Sequence, residues 1–421
     1  MTRTLAATFL FTLVCAAWSA PAEEVVGERL VHLLSRISYG VQPAESLGPE
    51  VYLESQLRQD PGPEPELEAY LARLRTPGRS GEHLARSGLS AEQIFEEMLR
   101  QRLLRAILSR WQLREMMTAF WFNHFNADPR KSDVIAWNLP ALEESLRARA
   151  LGRFRDLLEA AAHSPAVLTN LDQSVSSATE PGGVNENFGR ELMELYTVGQ
   201  DSGYTQRDVV EVARCFSGWT CDADSGIWGF DPELHDLGQK LVLGHRIEAG
   251  GVEEGERVLD LLARHPATAR FIARKLSIRF VCDDPPPGLV DRAAGVFQRT
   301  DGDIAQVLAC ILSSEEFYEP RYRRAKWKDP VEFAASVVLA LGADAELLEE
   351  LAGGRGNGGA LLEDVISMGA PYLCPDARGW PDRTSTWVST AGLQTRLSLA
   401  ERLGRRAGSG GAVSAPEFQY R

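Results

Sequence analysis

Apolar residues recur along most of the chain at the three-to-four spacing of a helix. Leu113, Met116, Met117, Phe120, Trp121 and His124 fall at i, i+3, i+4, i+7, i+8 and i+11, one continuous stripe. Phe154, Leu157, Leu158, Ala161 and Ala162 repeat the pattern, as do Phe271, Ile272, Leu276 and Phe280. The segment ends carry matching signals. Ser90 with Gln93 spells a capping box for a helix running past Arg110, and Thr205 with Asp208 starts one through Cys215. Ser164-Pro165 and His265-Pro266 read as cap plus first helical residue, Asp303 as the cap of Ile304 to Leu312, and Pro285-Pro286-Pro287 as a stop. Strand patterning is confined to short alternating pieces such as Lys240 to Leu243. The expected fold is therefore mainly α, a large multi-helix assembly with long functional loops and little or no β-sheet. Residues 173–184 and 221–250 are the turn-rich loops, and Gly353 to Gly359 is a flexible glycine-rich connection.

The first 22 residues depart from this pattern. Arg3, an apolar run from Leu5 to Trp18 and the small-x-small triplet Ala20-Pro21-Ala22 form a secretory leader, with cleavage after Ser19 as the main alternative. The run is too short to span a bilayer, and no later segment is apolar enough to do so. The mature chain is then a single helical domain over residues 23–405, either one body or two packed lobes (about 23–180 and 185–405). A Gly/Ser/Ala-rich tail over 406–421 reads as disordered. The expected location is periplasmic or extracellular. The formal net charge of −14 gives no electrostatic reason to bind nucleic acid. Cleavage leaves Cys215, Cys221, Cys282, Cys310 and Cys374, an odd number in a compartment that permits disulfides; Cys215 and Cys221 either pair or, for Cys215, fill the core.

The densest polar block is Asn185 to Gly199. Asn187, Arg190, Glu191 and Glu194 share one helical face bordering an apolar one. Two carboxylates beside an arginine can hold a metal or take unequal pKa values for acid–base work; they can equally form an ion-pair network through Glu186 and Arg190. His124, on the apolar stripe of its own helix, is either satisfied by a core carbonyl or carboxylate, or is a metal ligand or general base facing the Asn185–Gly199 block. His235-Asp236 with Lys240 sits in a loop, where an imidazole, a carboxylate and an ammonium within six positions suit a base or an anion clamp; the alternative is a loop pinned by local hydrogen bonds. His163 and His265 read as helix-entry residues. The loop tryptophans Trp219, Trp228, Trp380 and Trp387 either pack or stack on a sugar ring. The chain has no zinc-protease, ferritin-type, calcium-loop, phosphate-loop or nucleophile-elbow spacing. Any metal site, for an unspecified divalent ion, has to be assembled from distant residues such as His124, Glu191, Glu194 and His235.

Ordered matches along nearly the whole mature chain carry a resemblance. They include Leu33-Leu34-Ser35-Arg36, Phe120 to Phe125, Gly152 to Leu158, His163 to Ala166, Asn185 to Gly199, Gly218-Trp219, His235-Asp236, His265 to Arg270, and Gly379-Trp380-Pro381 with Trp387. The chain resembles the bacterial family known as domain of unknown function 1800, departing at Phe122 and at Phe188-Gly189. The resemblance implies an exported, mostly helical protein without an assigned activity, working beside a co-exported sulfatase- or phosphatase-like partner. On the residues, the first expectation is a hydrolase-like enzyme with an extracytoplasmic substrate. His124, Glu191, His235 and Asp236 form its catalytic set, and Asn187, Arg190, Lys240 and Trp219 its substrate contacts. The alternative is a non-catalytic envelope protein that binds a glycan or a protein.

Overall fold

A computed structural model describes residues 27–40, 47–58, 60, 62–179, 183–222, 226–353, 357–369, 376–407 and 413–421. The stretch expected to be a leader, Cys374 and part of the Gly353 to Gly359 connection lie outside the described residues. The protein is mainly α: helix takes 63% of the chain and strand 4%. No helix among the described residues is long and apolar enough to cross a membrane.

Most of the helix starts act where the sequence places them, although the helix begun by Ser90 ends at Leu108, short of Arg110, and Pro287 begins the helix Pro287–Arg299 instead of only stopping the one before it. Ser90 and Gln93 bond reciprocally and open the helix Ala91–Leu108. Thr205 and Asp208 do the same for Gln206–Phe216. Asp303 caps Ile304–Leu312. The His265 ring accepts from the Ala267 N–H at 3.1 Å to begin Pro266–Phe280. Each bond satisfies an amide that a helix start leaves orphaned. His163 behaves differently from its expectation: it closes the helix Phe154–Ala162, and the Pro165–Asn170 helix starts at Ser164 without a side-chain cap.

The stretch expected to be loop over 221–250 instead folds into two antiparallel hairpins. Trp219–Cys221 pairs with Trp228–Phe230, and Lys240–Val242 with His245–Ile247. The second turn places Leu243 at φ 49° and Gly244 at φ 79°, the paired left-handed residues of the tight turn that suits strand twist. Leucine is costly there; the Asp208 carboxylate accepts its N–H at 2.8 Å and holds the turn.

Buried apolar side chains from Leu30 to Val413 form one contiguous core. Cys215 is fully buried in it, and Cys215, Cys221, Cys282 and Cys310 are all free thiols. The described part of the tail, residues 413–421, is not disordered. Lys328 N–H donates to the Gln419 carbonyl at 2.9 Å, Arg421 N–H to Lys326 at 2.8 Å, and Trp327 bridges to Tyr420. The Arg421 side chain, 3% exposed, reaches Glu332 at 3.0 Å. The Gly/Ser/Ala bias ends at Ala415; beyond it Phe418, Tyr420 and Arg421 supply rings and charge that the core accepts, with Phe418 edge-on to Phe333. A chain ending at Ala415 is therefore expected to lose roughly 3 kcal/mol, the scale for breaking a buried ion pair. The urea midpoint of the truncated protein against the full chain measures it.

Candidate functional site

The helix Gln112–His124 ends on Asn123 and His124, and Phe125 and Asn126 continue from it. His124 is 1% exposed among the rings of Phe120, Trp121, Phe125, Tyr196 and Phe271. Its two nitrogens have distinct partners: Nε2 meets the Tyr196 carbonyl at 3.1 Å, and Nδ1 meets Lys275 Nζ at 2.8 Å. A carbonyl only accepts, so Nε2 carries the hydrogen and Nδ1 accepts from the lysine. The Tyr196 carbonyl is available because a five-residue π-helical turn, Leu192–Tyr196, ends there; helix ends leave their last carbonyls without intrahelical partners. Burial, and then the Lys275 charge, hold the His124 pKa well below the ordinary value, so the ring is neutral.

Lys275 projects from Pro266–Phe280. Among the described residues His124 is its one hydrogen-bond partner, and the ammonium otherwise lies against the faces of Phe120 and Phe271, 5.9 and 5.6 Å from the ring centres. Burial pushes its pKa down to about 8, with Asp382 acting the other way. The same lysine lines a cavity of about 650 Å³ with Ile278 and the turn that runs from Asp376 to Arg383.

That turn is held by the helix end that carries His124. The Asn123 side chain donates to the Trp380 carbonyl and accepts from its N–H, both at 2.8 Å. Asn126 donates to the Asp376 carbonyl at 2.8 Å. Gly379 sits at φ 68°, where a Cβ would stand 2.3 Å from the Asn123 carbonyl oxygen. One short segment, Asn123 to Asn126, thus fixes both the floor lysine and the roof of the cavity. Within the roof Arg378 is bidentate on Asp376, and Asp382 takes Arg279 at 3.2 Å. Arg378 also acts on Glu191 and Glu194, and Asp376 on Glu191. Burial, then Glu194, raises the Glu191 pKa, and Tyr204 donates to Glu194 at 3.2 Å.

The other expected site residues go elsewhere. Asn187 donates to the Leu171 carbonyl at 3.2 Å, and Arg190 is taken by Glu186 at 2.9 Å and Gln206 at 3.0 Å; both are framework rather than substrate contacts. His235 is 4% exposed, with Nδ1 at 2.7 Å from the Ser217 carbonyl and Nε2 at 3.2 Å from Glu254. Lys240 is 1% exposed and its ammonium lies 2.5 Å from Glu254. Asp236 is clamped by Arg214 at 2.9 and 3.0 Å. This cluster ties the hairpins to the Gln206–Phe216 and Glu253–Arg264 helices, shares no partner with His124, and spends its polar atoms on the scaffold. The expected joint pocket of His124, Glu191 and His235-Asp236 does not form. Among the described residues, His124, Glu191, Glu194 and His235 also make no cluster with metal-ligand spacing. Trp219 is fully buried against Phe216, His163 and Trp228, so closely over Gly255 that a Cβ there would stand 2.6 Å from its ring; it is core, not a sugar platform.

Sequence reasoning missed Lys275 and Asn126, and of the Asp376–Arg383 turn it singled out only Gly379-Trp380-Pro381. A signal existed: Lys275 follows Phe271 by four positions and so stands on the helix's apolar side, an expensive place for an ammonium.

The sequence profile of the family described as "Protein of unknown function (DUF1800)" matches residues 32–419, and the chain belongs to that family. The match spans every residue of the site. No curated protein and no solved structure matches.

Two outcomes follow from this geometry. His124 and His32 are both buried with lowered pKa values, His32 to about 4, mainly through burial. An unfolded histidine takes a proton below about 6.5, which the folded protein refuses. Stability is therefore full above that pH and falls below it, by about 1.4 kcal/mol per pH unit for each histidine. Urea titrations at pH 7, 6 and 5 measure the slope, which His124→Gln makes shallower. Separately, Gly379→Ala is expected to release the roof turn, at a backbone cost of roughly 1–3 kcal/mol, seen as faster proteolysis within 376–383.

Proposed function

We propose that this member of the DUF1800 family is a hydrolase-like enzyme whose proton-transfer group is the Lys275 amine, acting on an extracytoplasmic substrate held in the cavity beneath the Asp376–Arg383 turn. The observation that carries the reading is the state of Lys275. A lysine at the wall of a cavity, with no carboxylate bonded to it among the described residues and its pKa lowered by burial to about 8, exists in both protonation states close to neutral pH. That is the condition under which general acid–base catalysis is most effective.

The surrounding groups take consistent roles. His124 has its one lone pair committed to the lysine and its N–H to a carbonyl, so it positions Lys275 rather than meeting substrate. Deprotonated Lys275 accepts a proton from a water molecule as that water's oxygen bonds to the electrophilic centre of an ester or related bond. The leaving group departs with the electron pair of the broken bond and takes that proton from the Lys275 ammonium, which restores the neutral amine. Arg383, 3.7 Å from Asp284, stands at the rim beside Asp376, Arg378 and Asp382, and Trp380 offers an apolar wall. The leader pattern supports action outside the cytoplasm.

Competitive acetylation of the intact protein from pH 6 to 11, read peptide by peptide, tests the amine directly. Lys275 is expected to titrate near 8, while surface lysines follow their ordinary pKa of about 10.4. Against chromogenic aryl esters, phosphates, sulfates and glycosides, turnover should rise with pH through the same midpoint and fall by about 10²–10⁴ in Lys275→Met. A Lys275 that titrates with the surface lysines, or a Lys275→Met variant with undiminished turnover, overturns the proposal. Retained binding of an anionic glycan with no turnover of any class would instead identify a binding protein.

A further inference from the structure

We infer that the chain carries a divalent-cation site formed by Glu159, His163 and Glu256, distinct from the Lys275 cavity and independent of the function proposed for it. The three residues each offer one ligand atom, and these atoms lie within 4.8 Å of one another.

The protonation logic of His163 points to the site. Its Nδ1 lies 3.1 Å from the Glu159 backbone carbonyl. That oxygen only accepts, so Nδ1 carries the hydrogen and the neutral ring has its lone pair on Nε2. Nε2 faces Glu256 Oε1 at 3.0 Å. An imidazole lone pair and a carboxylate oxygen do not attract one another; a positive charge has to sit between them, either a proton or a metal ion. A histidine whose other nitrogen donates to a backbone carbonyl is also the arrangement that orients metal-bound imidazoles. The ring is held in place by stacking on Trp219, 4.7 Å between centres and 25° between planes, and by the edge of Trp228 at 4.6 Å.

Arg155 divides the carboxylates in a way that suits this reading. It bonds Oε2 of Glu159 at 2.8 Å and Oε2 of Glu256 at 2.7 Å. Glu256 Oε1 is the atom that faces His163, and Glu159 keeps its own Oε1. Each carboxylate can therefore give one oxygen to the arginine and one to a cation. Charge favours the same conclusion. Arg155 also bonds Asp260 at 2.5 Å, so one guanidinium faces three carboxylates, and Arg264 stands 3.9 Å from Asp260 and is bonded to Asp301 at 3.0 Å. A cavity of about 500 Å³, lined in part by Arg149, Asp156, Glu159, His163 and Ser164, opens beside two of the three groups, Glu159 and His163. Three protein ligands of mixed nitrogen and oxygen type with solvent on the remaining side suit Zn²⁺ or a similar first-row ion with an open position, rather than a closed structural zinc.

The test is calorimetric titration of the EDTA-treated, dialysed full chain with ZnCl₂ at pH 7.5, with the zinc content of the dialysed complex measured in parallel. One Zn²⁺ per chain is expected. His163→Gln and Glu256→Gln should each weaken binding tenfold or more, while Lys275→Met leaves it unchanged. Circular dichroism and melting of both variants establish that they are folded; if His163→Gln fails to fold, Glu159→Gln replaces it. No zinc uptake, or uptake that His163→Gln and Glu256→Gln leave intact, overturns the inference. Because the readout is binding, its failure is separate from any failure of the Lys275 proposal.

Discussion

The buried guanidinium of Arg279 must be neutralised where water cannot reach it, and that requirement organises the C-terminal half of the molecule. At 7% side-chain exposure it bonds Glu332 at 2.6 Å, meets Asp382 at 3.2 Å and lies 3.9 Å from Asp329. These acids come from the first turn of the helix Pro330–Leu341, its cap, and the roof turn of the cavity. Glu332 in turn anchors Arg421, the last residue of the chain. An uncompensated charge in such a place costs several kcal/mol. The helix, the turn and the terminus are therefore constrained together.

Lys275 stands one helical turn before Arg279 and meets the opposite fate. Arginine there is saturated by carboxylates, which raise its pKa. Lysine is given an imidazole and two aromatic faces, and burial lowers its pKa. The two cations share a helix and neighbour the same turn, and Asp382 acts on both. A fixed charge holds the roof in position, while a titratable one borders the cavity beneath it. That contrast, rather than the number of polar residues nearby, is what the proposal for Lys275 rests on.

The polar clusters that look most functional in the sequence divide by what their atoms have left to offer. In His235, Asp236, Lys240 and Glu254, the donors and acceptors are consumed fastening two hairpins to helices. In His124 the same kind of consumption has a different consequence, because one of its partners is the cavity lysine. His163, which reads as a helix-entry residue, closes a helix through Nδ1 and leaves Nε2 against a carboxylate. Local sequence context does not separate these cases, since each is decided by residues many positions away.

What the sequence determined by itself is whatever is decided within one or two helical turns. The mainly α class follows from apolar spacing, and the Ser90, Thr205 and Asp303 starts follow from side chains that reach amides two or three residues on. The Glu191–Glu194 pairing was legible for the same reason. The tertiary structure alone decided which polar residues meet. His124 and Lys275 are 151 positions apart, and Asn123 and Trp380 are 257 apart. Whether His235 faces a cavity or a glutamate depends on how the hairpins dock. Leu243 tolerates a left-handed turn because a distant aspartate holds its N–H. Periodicity records which face of an element is apolar; it does not record which other element that face will meet, and the desolvation that sets the Lys275 and His124 pKa values exists only after they meet.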